Sequence, residues 1–182
     1  MSTKLVTKNV RLSYANIFKP KAMSAGQPEK YSVCLLIPKK DKTQVKKIQA
    51  AIEEEKKEWA ERFGKGKIPT GLKSPLRDGD EEKDVEEHPE YAGMYFMNAS
   101  SESKPILFDQ EGDEILDQSE IYSGCWARAS VNLFSYDTNG NRGIGAGLNA
   151  IKKVRDDEPF GAVVTAESAL RDFEEEDDDM LD

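Results

Sequence analysis

The chain has 182 residues, of which 37% are hydrophobic and 34% charged, with 26 Lys and Arg against 35 Asp and Glu and a formal net charge of −9. That length can bury a core without disulfides or metal, and no apolar run approaches the roughly 20 residues of a membrane span. The first residues, Met1 to Leu5, lack the apolar stretch of a signal peptide, and Cys34 and Cys125 lie inside apolar runs, so a soluble cytoplasmic protein with two reduced thiols is expected.

Residues 5–14 form the first predicted strand, with β-branched side chains and Val6, Val10 and Leu12 at even spacing. A loop over 19–30 follows, carrying Lys19, Lys21 and Lys30 and flanked by Tyr14 and Phe18, a pairing of aromatics with lysines that suits a strand-binding groove. The stretch 31–37, from Tyr31 up to Pro38, is so continuously apolar that its strand should be buried on both faces. A helix comes next. Asp41 or Thr43 can cap its start, Val45, Ile48, Ile52, Trp59 and Phe63 share one face, and Gly64 ends it. The apolar stripe, Trp59 included, is expected to pack on the rest of the fold and not to hold a ligand.

Residues 64–90 read as a long loop that changes sign. Lys65, Lys67, Lys73 and Arg77 come first, and positions 78–90 then bring eight acids and one lysine. Loops of this length in compact domains are usually functional or disordered; the basic half is assigned to ligand contact and the acidic half to solvent. Three further strands are predicted over 92–99, 105–108 and 124–136. Asn139-Gly140 signals a tight hairpin, and the return strand over 142–154 carries Gly143, Gly145 and Gly147, a density that implies bends or close backbone approach. The pattern is mainly β: about six short strands and one amphipathic helix, an OB-like small barrel over residues 1–165. Residues 166–182 form a separate acidic tail, expected to be disordered.

The most informative segment is the strand from Cys125 to Tyr136. Side chains alternate across a strand, so Cys125, Ala127, Ala129, Val131 and Leu133 share a small apolar face suited to a barrel interior. The other face shows Trp126, Arg128, Ser130, Asn132, Phe134 and Tyr136. Aromatics interleaved with an arginine and small polar groups make a platform for single-stranded nucleic acid, where bases stack on rings and cations meet phosphates. Tyr95 and Phe96 must point oppositely, so only one of them can face a ligand, and Tyr95 is the candidate. Tyr31 and Lys39, at the two ends of the second strand, complete the set with the loop lysines.

Charge is divided along the chain. Residues 1–77 hold 18 Lys and Arg against 7 acids, whereas residues 78–182 hold 8 against 28. This asymmetry points to a polyanion partner together with an acidic tail. The last eleven residues contribute eight carboxylates and no base, which three apolar side chains cannot offset, so they do not fold alone. Such a tail can lie in the protein's own basic groove as a phosphate mimic, and it can present Phe173, Asp177, Asp178, Asp179, Met180 and Leu181 to a partner protein.

Catalytic readings find little support. The single histidine, His88, has no Cys or His neighbour at ligand spacing, so neither a zinc site nor a histidine-based triad can be assembled. Gly143-Ile144-Gly145-Ala146-Gly147 departs from the dinucleotide fingerprint, and no P-loop is present. The acidic clusters sit in loop and tail, where nothing fixes the geometry a nuclease metal requires. No enzyme activity, cofactor or metal is expected.

Two stretches, YSVCLLIPKK from Tyr31 and GCWARASVNLFSYDTNGNRGIGAGLNAIKKVRDDEPFG from Gly124, in this order, resemble the tailed-phage single-stranded DNA-binding proteins with an OB fold. The resemblance spans roughly residues 4–165. It implies sequence-tolerant binding of single strands during phage DNA replication, recombination or repair in the host cytoplasm. The tail is similar to those of other single-strand binders that recruit replication or recombination proteins, but it ends Met180-Leu181-Asp182 and not in an aromatic residue. An exposed strand edge would allow a homodimer, and nothing in the sequence requires one. The rival reading is an acidic DNA mimic that occupies a host DNA-binding protein.

Overall fold

The structure is a computed structural model and describes residues 3–22, 24–160, 170, 171, 173 and 174. Its strands are β1 (Thr3–Val6), β2 (Val10–Lys21), β3 (Lys30–Pro38), β4 (Leu76–Asp78), β5 (Met94–Ser101), β6 (Ile106–Phe108), β7 (Trp126–Thr138) and β8 (Asn141–Arg155). Its α-helices include α1 (Lys42–Arg62) and the single-turn α2 (Gly79–Glu82). Five strands close into a ring in the order β7-β2-β3-β5-β8, sealed by the β7–β8 hairpin; β1 extends the β7 edge, β4 pairs with β5, and β6 pairs with β8.

Alternation explains the interior. Ala127, Ala129, Val131 and Leu133 of β7 are buried inside the ring beside Leu12, Val33, Leu35, Met97 and Ile151. Small residues on β7 let the wall approach its neighbours closely, as a narrow barrel needs. The hairpin between β7 and β8 turns at Asn139 and Gly140, both at positive φ (51° and 82°), as a two-residue turn of the primed type requires.

Helix α1 closes one end of the barrel. The Asp41 carboxylate caps it by accepting from the Gln44 backbone N–H at 3.3 Å. Val45, Ile48 and Ile52 enter the main core, and the buried Trp59 donates its indole N–H to the Tyr136 carbonyl at 3.0 Å. The helix also buries Glu55, whose carboxylate accepts from the hydroxyls of Thr3 (2.7 Å) and Ser135 (2.9 Å). The expected packing role of the stripe is therefore met, with a polar clamp added to it.

Strand β3 is buried on both faces, as its apolar run predicts. Val33, Leu35 and Ile37 point into the ring, while Cys34 and Leu36 point outward and are covered with Phe96 by Tyr91. The cover comes from the segment expected to be loop: after α1 it forms β4, then α2, then a 3-10 turn at Pro89–Tyr91. The first predicted strand also differs. It breaks at Thr7–Asn9, where the buried Thr7 hydroxyl accepts from the Ala129 N–H at 2.8 Å, and it resumes as β2 as far as Lys21. Both ends of the predicted lysine loop, residues 19–21 and Lys30, are thus strand, because β2 stays paired with β3 out to Lys21 opposite Lys30.

Candidate nucleic-acid interface

Where β2, β3 and β5 turn their outer faces to solvent, a groove of about 730 Å³ opens. The strand pairings set Asn16 opposite Ser32 and Ser32 opposite Ser100, with Cys34 opposite Asn98, so polar side chains line its floor around buried Cys34 and Phe96. The Cys34 thiol lies 3.9 Å from the Tyr91 hydroxyl. Burial pushes the thiol up to about 11 and raises the phenol as well, so both floor groups are neutral at physiological pH. Cations sit at the margins: Lys21, Lys30 and Lys83, the last with its ammonium 5.4 Å from the ring centroids of both Tyr91 and Phe96.

A second recess of about 660 Å³ continues from Asn98, which lines both, and is bounded by Lys73, Arg77, Tyr136 and Gly145. Lys73 is docked on β8 by two backbone hydrogen bonds, its N–H to the Arg142 carbonyl at 3.1 Å and its carbonyl from the Ile144 N–H at 2.9 Å. The side chain of Lys73 reaches Asn141 at 2.6 Å. The Arg77 guanidinium lies 4.9 Å from the Phe96 centroid and donates to Glu82 from Nε (2.9 Å) and Nη2 (2.8 Å). Beside this recess Phe134 is exposed, its ring 6.2 Å from that of Tyr136. The two recesses form one track across the barrel, with polar and aromatic groups inside and cations along its edges.

Of the residues singled out in the sequence, Lys21, Lys30, Lys73, Arg77 and Tyr136 line this track, with Phe134 at its end. Trp126 and Arg128 lie at the other end of β7. The Trp126 indole N–H donates to Asp157 at 2.8 Å, and Arg155 stacks 4.7 Å above its ring. That hydrogen bond, more than the neighbouring Arg11 and Arg155 charges, holds the Asp157 carboxyl below the usual carboxylate range. Arg128 donates from Nε to the Thr7 carbonyl at 3.1 Å.

Lys39 is engaged elsewhere. Its ammonium bridges Asp78 (2.6 Å) and Asp80 (2.7 Å) and lies 5.1 Å from the Tyr95 centroid. Hydrogen bonds to these two carboxylates raise Lys39 and lower both acids. Tyr95 packs against the main core from the α1 side, and its neighbour Phe96 is the one that faces the track. Lys19 is exposed on β2, Tyr31 is half-buried at the start of β3, and Lys65 and Lys67 are exposed just beyond α1; none of them lines either recess. In the tail, Phe173 is exposed, and Asp177, Asp178, Asp179, Met180 and Leu181 lie outside the described residues.

Sequence reasoning did not single out Asn16, Ser32, Asn98, Ser100 or Lys83. A signal for four of them was present: hydroxyls and amides at even spacing within otherwise apolar strand runs, the mark of a polar stripe on a sheet's outer face. Among the described residues no cluster of three or more His, Cys, Asp or Glu is arranged to hold a metal ion, and no helix is long and apolar enough to cross a membrane.

A closed five-stranded barrel with one main helix and a groove across its outer strands is an OB-type fold. The particular family follows from comparison. Residues 3–181 match the family described as "Enterobacter phage Enc34, ssDNA-binding protein", and the chain belongs to that family. The single-stranded DNA-binding protein from bacteriophage Enc34, solved in complex with ssDNA, is 31% identical with a TM-score of 0.75, over 87% of this chain and 90% of that one. Protein p50 of Acyrthosiphon pisum secondary endosymbiont phage 1 is 32% identical over 175 residues, 90% of this chain and 91% of that protein. The single-stranded DNA-binding protein gp2.5 of bacteriophage T7 shares the fold with a TM-score of 0.61 at 17% identity, over 94% of both chains.

Proposed function

We propose that this chain binds single-stranded DNA without sequence preference and without catalysis, serving phage DNA replication, recombination or repair in the host cytoplasm. The observation that carries the reading is the track itself: a neutral floor of amides, hydroxyls and rings, with Lys21, Lys30, Lys73, Lys83 and Arg77 along it. Lysine and arginine neutralise phosphates, releasing counterions, while rings accept any base. Family membership and the ssDNA complex of the Enc34 protein support the same ligand. Lys19, Lys39, Lys65 and Lys67 would add long-range attraction, and Tyr31, Tyr95, Trp126 and Arg128 would serve only if the strand wraps beyond the track. The acidic tail would compete with DNA for the cations and recruit replication or recombination proteins. The test is a titration of labelled single-stranded and duplex oligonucleotides at two salt concentrations, with the full chain and a version ending at Arg171. Single-strand binding that weakens steeply with salt, and tightens on truncation, is expected. Absence of binding by either form at low salt would favour the acidic-mimic reading instead.

A further inference from the structure

Tyr14 stands in a conformation that a strand does not ask for. It lies inside β2 with φ of 46°, in the left-handed region; the other non-glycine residues there among the described residues, Lys65 and Asn139, are outside regular strands. A bulky side chain at positive φ is a true outlier, and such strain persists only where surroundings impose it. Here they do. The β2–β3 register shifts between Ser13 and Asn16, forming a bulge. The Ala15 N–H donates to the Ser123 hydroxyl at 2.9 Å, and the Asn16 amide donates to the Tyr14 carbonyl at 3.2 Å.

What the bulge achieves is to re-aim one side chain. The Tyr14 ring belongs to neither core cluster, is 58% exposed, and lines the groove. Beneath it the floor is uncharged. Asn16, Ser32, Asn98 and Ser100 each offer an amide or hydroxyl that can both donate and accept, so the edge of any base can be met. The groove's cations are Lys21 and Lys30, paired at the far end of the β2–β3 ribbon, and Lys83, over the Tyr91 and Phe96 rings.

We infer that this groove is a pocket for an unpaired nucleobase, with Tyr14 as the residue that stacks on the base as it enters. The strand then lies with bases turned toward the barrel and phosphates toward the lysines. A duplex, whose base edges are already paired, does not fit. The inference rests on the proposed single-strand binding and gives it an orientation.

The test uses the full chain, with Tyr14→Asn and Tyr14→Phe as variants. Asparagine tolerates positive φ and lacks the ring. Oligo-dT affinity is read by fluorescence anisotropy, and stability by the urea midpoint. For Tyr14→Asn a loss of roughly 5- to 150-fold in affinity is expected, the range of one stacked base, with a urea midpoint no lower than wild type. Tyr14→Phe, which restores the ring, recovers the affinity. Cross-linking of a 5-bromodeoxyuridine oligonucleotide should mark the peptide containing Tyr14. If the wild type binds and Tyr14→Asn binds equally well, the pocket assignment is overturned while single-strand binding stands. A fall in the urea midpoint of Tyr14→Asn overturns it too, by making the ring structural. If the wild type fails to bind, the functional reading itself falls.

Discussion

Phe134 and Gly145 face each other across the β7–β8 pair, and the ring lies so low over the glycine that a Cβ on residue 145 would come within 2.6 Å of the phenyl Cζ. The neighbouring Gly143 stands in the same relation to Lys73 and Tyr136, whose hydroxyl would be 2.8 Å from an added Cβ. The glycines of β8 are therefore the bed on which the aromatic end of the track rests.

Gly145→Ala should lift the Phe134 ring off the sheet without unfolding the barrel, because the ring is exposed and free to swing. Oligonucleotide affinity should fall several-fold, less than in Phe134→Ala, where loss of a stacked base costs about 1–3 kcal/mol. Thermal unfolding of both variants should stay close to wild type. Parallel anisotropy and melting measurements separate these effects.

Glu82 occupies the two guanidinium donors that Arg77 turns toward the second recess. Glu82→Gln should free Arg77 for phosphate and tighten binding. An exposed pair of this kind is worth about 0.2–1 kcal/mol, so the gain is small at low salt and vanishes at high salt. Arg77→Ala should weaken binding in the same titration.

Removing the Glu55 carboxyl should injure the fold and spare the ligand. Glu55→Ala takes the acceptor from the half-buried Thr3 hydroxyl, leaves the buried Ser135 hydroxyl only its longer contact to the residue-55 carbonyl (3.4 Å), and opens a cavity under α1. Each buried unpaired group costs about 1–3 kcal/mol. The urea midpoint should drop markedly, with DNA affinity unchanged under conditions where the variant is folded.

Asp157 gives the Trp126 end of β7 an acid-sensitive latch. Its folded value lies below the unfolded one, so its stabilising contribution is present above the ordinary carboxylate range near 3.9. That contribution is lost as pH falls through the lowered value. Trp126 emission should hold steady down to the ordinary range and change only beneath it, and Asp157→Asn should abolish that step. A titration of tryptophan fluorescence checks both.

Much of this architecture is readable in the sequence because it depends on local periodicity. The Asp41 cap, the α1 stripe, the doubly buried β3, the alternation of β7 and the Asn139-Gly140 turn all follow from spacing and turn chemistry. What escapes is set by distant partners. Pro20 and its lysine neighbours look like loop, yet β3 recruits them into a long antiparallel ribbon. The acidic stretch looks solvated, yet the Lys39 bridge to Asp78 and Asp80 pins it so that Tyr91 can cover Cys34 and Leu36. The same division holds at the site. Alternation assigns Trp126 and Phe134 to one face of β7, but eight residues of strand separate them by about 26 Å, and only the phenylalanine end meets the track. The sequence pairs Tyr14 with the basic loop, but the orientation of its ring comes from a bulge, which no period encodes.

The central claim, that the outer face of β2, β3 and β5 receives the strand, is tested most directly by two-dimensional NMR of the full chain with and without oligo-dT. Side-chain amide signals of Asn16 and Asn98 should shift on addition of DNA, together with backbone signals around Tyr14, Ser32 and Ser100. Signals from α1 and from the Trp126–Asp157 corner should stay in place. Shifts confined to that corner or to α1, with Asn16 and Asn98 unmoved, would contradict the account.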